Sequence, residues 1–213
     1  MSADSRTTKF LKDYAPPDYL IKDVTLDVQL ALENTRISSS LAIEPNSGTV
    51  AGTPLILDGE ALTLDSIAVN GQPLEAGRYA LSSGKLTIPN PPVGSFNLDI
   101  VTVCNPEANL ELSGLYLSSG TYCTQCEPEG FRRITYFVDR PDVLATYTVR
   151  IEADRDTVPV LLSNGNPVDA GDIPGTGRHY AIWHDPHPKP SYLFALVGGR
   201  LSSIHDTFTT ASG

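Results

Sequence analysis

The chain has 213 residues, enough for one large domain or two small ones, and Gly and Pro occur 17 times each, a combined share above the roughly 12% of average chains. That density of helix breakers disfavours a helical bundle. With 40% hydrophobic and 19% charged residues, the composition suits a packed core rather than a disordered acidic tail, and a net charge of −10 argues against non-specific attachment to nucleic acid or to an anionic membrane face.

The first residues, Met1-Ser2-Ala3-Asp4-Ser5-Arg6, carry charges where a signal peptide needs an apolar core, and no run of about 18 apolar residues occurs anywhere. The expectation is a cytoplasmic chain with no membrane and no nucleic acid among its partners. Residues 1–8 are expected to be extended or disordered, and 9–213 to form one β-sandwich domain.

The stretch Asp18 to Glu44 is free of Gly and Pro, yet its pattern is that of a strand. Val24, Leu26, Val28, Leu30 and Leu32 alternate with more polar neighbours, a period of two that puts all of them on one face. The alternation returns as Leu62 and Leu64, then after a shift as Ile67 and Val69, again as Phe96, Leu98 and Ile100, and as Tyr147, Val149 and Ile151. Between these runs lie turn signals: Asn70-Gly71, Ser83-Gly84, Asn90 to Gly94, and Asn164-Gly165-Asn166-Pro167. About a dozen short strands at this spacing read as an all-β fold, a sandwich or pair of packed sheets. At most one or two short helical turns are expected, the best candidate being Pro141 to Ala145, with Pro at a first helical position.

Cys123-Thr124-Gln125-Cys126 is the most conspicuous local motif. As a zinc half-site it needs two further ligands, and only His179, His184 and His187 are near in sequence. As a redox dithiol it should open a helix, whereas Glu127-Pro128-Glu129-Gly130 follows, whose carboxylates raise a thiol pKa. The residues favour a third reading, two small cysteines fixing a tight loop. Ser203-Ile204-His205-Asp206 is too cramped for a catalytic triad, and no HExxH, GxSxG, Walker or GxGxxG sequence occurs.

The remaining feature is a polar loop: Gln125, Glu127, Glu129, Arg132 and Arg133, interleaved with Tyr122, Phe131, Tyr136 and Phe137. Carboxylates beside aromatic walls can receive a cation in a lowered dielectric. Spacing alone fits a solvated acidic loop better.

Gly114-Leu115-Tyr116 and the run from Cys123 to Ala145 closely resemble the N-terminal domain of the bacterial aminopeptidase N family, zinc metalloaminopeptidases of the gluzincin type. Tyr14 to Tyr19, Leu161 to Asn166 and Asp185 to Val197 resemble it in the same order. The resemblance covers residue 9 or so onward, loosely between about 34 and 110, and Pro128 stands where the family is expected to carry Ala. It implies a saddle-shaped, two-sheet β-domain that packs against a thermolysin-like catalytic domain and closes one side of the active site. By resemblance, Glu127 binds the free α-amine of the peptide substrate and Gln125 lines the first side-chain pocket. The family's HExxH zinc motif and GAMEN segment fall outside these residues. No catalytic residue and no metal ligand are therefore expected here, and zinc is expected only in the full-length enzyme. The expected partners are the substrate N-terminus and the missing catalytic domain of the same polypeptide. The isolated chain is expected to be inactive and, if separated from that domain, to expose an apolar patch around Cys123 to Phe137. A free-standing β-sandwich interaction module is the alternative.

Overall fold

Residues 10–212 are described by the computed structural model; the expected extended segment, residues 1–8, lies outside them. The strands follow in chain order as β1 (Tyr19–Gln29), β2 (Thr35–Pro45), β3 (Leu55–Asp58), β4 (Thr63–Val69) and β5 (Gln72–Pro73). Next come β6 (Ala80–Ser82), β7 (Lys85–Ile88), β8 (Phe96–Cys104), β9 (Gly114–Ser118) and β10 (Thr121–Gln125). The last are β11 (Leu144–Asp154), β12 (Val160–Ser163), β13 (Asn166–Ile173), β14 (Arg178–Pro190) and β15 (Leu196–Gly199). Helix among the described residues is limited to three single 3-10 turns, Leu11–Asp13, Phe131–Arg133 and Ser191–Leu193, one more than the sequence suggests.

The all-β expectation holds, with three sheets rather than a pair. Eight strands run in the order β13-β14-β11-β1-β2-β8-β4-β5, four as β12-β15-β10-β9, and three as β3-β7-β6. The period-two pattern explains the large sheet. Its registers align Leu98, Leu41, Val24 and Tyr147 in one row across β8, β2, β1 and β11, and Val28 and Ile151 in another. All six side chains are buried, so one face of the sheet is a continuous apolar floor. The shift between Leu64 and Ile67 is a β-bulge, where the β4–β8 register breaks between Leu64 and Ser66. Asn70 and Gly71, with φ of +50° and +74°, make the tight turn into β5 that this dipeptide favours.

Two expectations fail for local reasons. Leu32 does not join the buried face of β1, because the strand ends at Gln29 and Leu32 is exposed in the turn that follows. Pro141 to Ala145 is not a helix. Val143, Ala145 and Tyr147 are buried in alternation, so the strand period has already begun, and the Arg140 guanidinium clamps the Asp142 carboxylate at 2.7 and 2.8 Å to fix a turn.

Polar side chains interrupt the apolar floor where another segment docks on it. Ser39 and Thr135 share a hydrogen bond of 2.8 Å, and the Thr102 hydroxyl donates to the Ile134 carbonyl at 2.9 Å. These buried hydroxyls are satisfied by the segment just after the Phe131–Arg133 turn, as buried polar groups must be. Beside them, Phe131 packs edge-on against Phe137 and Phe194, with ring centroids 4.8 and 5.1 Å apart. The polar loop of the sequence is therefore rooted in the core.

Candidate functional site

Strands β9 and β10 form a hairpin through Ser119 and Gly120, both at positive φ, and β10 is held on its other side by β15 through Tyr122 and Cys123. The chain leaves β10 at Gln125 and turns sharply over Cys126 to Gly130 before entering the Phe131–Arg133 turn. Cys126 is buried and its carbonyl accepts the Gly130 N–H at 2.8 Å. Gly130 has to lack a side chain, because a Cβ would lie 2.2 Å from the Gln125 carbonyl oxygen. Gly114, paired with Gln125, has φ of +72° and sits so close to Arg133 that a Cβ would meet the Arg133 Cβ at 2.4 Å.

At the tip, Gln125, Glu127, Pro128 and Glu129 are exposed. The Gln125 amide Nε2 donates to the Glu127 carbonyl at 3.3 Å, so the two residues singled out by resemblance are brought together on one turn. Glu129 faces Arg132 at 3.5 Å. The Glu127 carboxylate has no ion pair or side-chain hydrogen bond among the described residues. The turn that carries it is braced from below.

Arg132 holds the base of the loop. Its backbone N–H and Nε donate to Asp139 Oδ2 at 3.2 and 3.0 Å, and its Nη2 donates to the Asp139 carbonyl at 3.2 Å. Burial works against the Arg132 charge, but the hydrogen bond to Asp139 and the charges of Asp58, Asp139 and Glu129 keep its pKa above the usual guanidinium value. Arg133 pairs with Glu60 at 3.2 Å. Sequence reasoning assigned no role to Asp139, a buried residue whose Oδ1 also accepts the Ser191 hydroxyl at 2.5 Å; its only signal was a charged residue directly after the apolar run Tyr136-Phe137-Val138.

The aromatic walls expected around the loop carboxylates are core instead. Tyr122, Phe131, Tyr136 and Phe137 are all buried, as are Cys126 and Ile134, so these side chains do not themselves form an exposed apolar patch around Cys123 to Phe137. Exposed large apolar residues border the loop instead: Leu110 lines a cleft with Leu115 and Arg133, and Phe10, Leu11 and Tyr14 line another with Glu129.

The cysteines do not fit a zinc site. All three are free thiols, burial together with nearby Asp139 pushes the Cys126 thiol well up, and burial raises that of Cys123. His179 Nε2 is engaged with the Val158 carbonyl at 2.8 Å and His184 Nδ1 with Thr148 at 3.0 Å. Among the described residues no group of three or more His, Cys, Asp or Glu is placed to hold a metal ion. Ser203 and His205 form an exposed pair 3.1 Å apart, outside any strand.

Residues 15–193 match the family model of the peptidase M1 N-terminal domain. The chain belongs to that family. Over its full 213 residues this M1 N-terminal domain is 49% identical to aminopeptidase N of Caulobacter vibrioides, of which it covers 24%. Over 206 residues it is 46% identical to aminopeptidase N of Escherichia coli, covering 96% of this chain and 23% of that protein. It thus spans about a quarter of the length of these relatives. Among solved structures, Legionella pneumophila aminopeptidase A in complex with aspartic acid superposes with a TM-score of 0.86 at 38% identity, covering 91% of this chain and 23% of that one. An M1 zinc metallopeptidase variant from Deinococcus radiodurans, bound to a Tyr-Ser-Ala substrate, shares the fold with a TM-score of 0.72 at 18% identity, over 85% of this chain and 42% of that one.

Proposed function

We propose that this M1 domain is the N-terminal part of a cytoplasmic zinc aminopeptidase, that it closes one side of the active site, and that Glu127 binds the free α-ammonium group of the peptide substrate. The observation that carries the reading is the isolation of the Glu127 carboxylate. Of the two glutamates at the loop tip, Glu129 faces Arg132, and Glu127 faces no cation among the described residues. The contacts to the turn hold the backbone beneath this unpaired carboxylate, so less ordering is needed when a cation arrives. An exopeptidase must tell a chain end from a chain middle, and an ammonium group offers a charge-assisted hydrogen bond that an internal amide cannot.

Gln125, hydrogen-bonded to the Glu127 backbone, stands next to that ammonium and lines the pocket for the first substrate side chain. Fixing the ammonium also sets which carbonyl faces the reacting centre. Zinc, supplied by ligands in the rest of the polypeptide, would polarise that carbonyl and activate water. This chain's residues hold and orient the substrate end.

The test is Glu127→Ala in the full-length enzyme. A charge-assisted hydrogen bond contributes about 1.5–3 kcal/mol, so kcat/KM for Ala- or Leu-p-nitroanilide should fall about 10–100-fold, with KM raised. Unchanged kinetics would remove Glu127 from the site. The 213-residue chain alone, which has no HExxH sequence, should not hydrolyse these substrates, and zinc-dependent turnover by it would overturn the assignment.

A further inference from the structure

We propose that Asp139 is the positioning residue of the amine-binding loop: through Arg132 and Ser191 it sets where Glu127 stands and keeps Glu129 from competing with it. The inference rests on the role proposed above for Glu127 and concerns a residue that does not touch substrate.

Asp139 is 4% exposed, and a buried carboxylate persists only when its oxygens are well paired. Here both are used. Oδ2 accepts the backbone N–H and Nε of Arg132, and Oδ1 accepts the Ser191 hydroxyl. One carboxylate thus links the turn that follows the loop to the turn that ends the long strand β14.

The position of Arg132 is transmitted to the loop tip in two ways. Its neighbour two residues back is Gly130, which packs against the Gln125 carbonyl with no room for a Cβ, so a displaced Arg132 backbone pushes directly on the turn bearing Glu127. Its side chain also faces several acids at once: Glu129 at 3.5 Å, Glu60 at 3.9 Å and Asp58 at 4.0 Å. Held by Asp139, the guanidinium stays beneath the loop and balances Glu129. Released, it is free to swing toward Glu127, and Glu129 becomes a second anion at the tip. Either change misplaces the ammonium-binding charge.

The experiment is a double-mutant cycle in the full-length enzyme, with KM and kcat measured on Leu-p-nitroanilide for Asp139→Asn, Glu127→Gln and the pair. Asp139→Asn is expected to raise KM about tenfold, less than the roughly 100-fold that a misplacement of about 1 Å can cost, with kcat changed less than about twofold. The double variant should be no worse than Glu127→Gln alone, because Asp139 acts only through Glu127. Independent, multiplying effects on KM would overturn the proposal, as would an unchanged KM for Asp139→Asn beside a raised KM for Glu127→Gln. If Glu127→Gln itself has no effect, the amine-binding reading fails instead, which is a different result. Should Asp139→Asn not fold, Ser191→Ala removes one hydrogen bond from the same carboxylate and gives the same cycle, with a smaller rise in KM that must again vanish in the Glu127→Gln background.

Discussion

Gly130 lies so close beneath Gln125 that a Cβ added to it would fall 2.2 Å from the Gln125 carbonyl oxygen and 2.8 Å from the Cys126 Cα. Its own backbone is in the right-handed helical region, with φ of −94°, so the constraint is one of space and not of dihedral angle. Gly130→Ala must push backbone against backbone. Overpacking of this kind costs about 1–3 kcal/mol, and the domain's denaturant midpoint should fall accordingly. In the full-length enzyme the same variant should raise KM for free-amine substrates more than it lowers kcat, since the displaced turn carries Glu127. Wild-type stability and wild-type KM together would show that the loop tolerates the shift.

The thiols should be inert in the folded chain. Burial pushes the Cys104 thiol up to about 12, raises Cys126 further with help from Asp139, and raises the half-buried Cys123. The thiolate is the reactive form. With a disulfide reagent at pH 8, at most one thiol per chain should react in native buffer, and all three in guanidinium. Fast reaction of Cys123 and Cys126 as a pair, or zinc retained at one per chain after dialysis, would restore the redox or metal reading of the motif.

Much of the large sheet was legible because its strands bury one face, so that Val24 to Leu30, Phe96 to Ile100 and Tyr147 to Ile151 alternate openly. In the small sheet the Ser83-Gly84 signal marks the β6–β7 turn, but the β3–β7 pairing was not legible, since Leu55 and Ile88 pair across more than 30 residues and nothing local encodes it. The Pro-rich end of β14 looked unlike a strand. It forms one because β13 stops pairing at His184, and Pro186 and Pro188 lie beyond, where no partner on that side needs their missing N–H. At the site, residue types alone suggested an acidic loop with aromatic walls. The aromatics were misread because type cannot tell a pocket wall from core. Glu127 and Gln125 came from resemblance to a family, and Asp139 escaped notice because its partner Ser191 lies 52 residues away.

Acid should loosen the junction of β1, β11 and β14 first. Glu152 is largely buried, with its side chain 15% exposed, and takes Arg178 Nε at 2.6 Å and Arg150 Nη1 at 3.0 Å. Arg178 Nη2 also donates to the carbonyls of Leu30 and Glu152, tying the end of β1 to the pair. Burial alone would raise the Glu152 pKa, but the two guanidiniums outweigh it and hold the carboxyl below its usual range. A folded-state pKa below the unfolded one gives stability that is complete above about pH 4.5, the ordinary glutamate range, and that is lost as pH falls through the folded value. Asp142, held down by Arg140, and Asp185, where Lys189 outweighs burial, act in the same direction. The melting temperature should therefore be level from about pH 7 to 5 and fall below about pH 4.5. Glu152→Gln should lower it by about 2–6 °C at pH 7, the equivalent of about 1–2 kcal/mol in a domain of this size, and should flatten the acid limb. An acid limb as steep in Glu152→Gln as in the parent chain would move the pH dependence to other carboxylates.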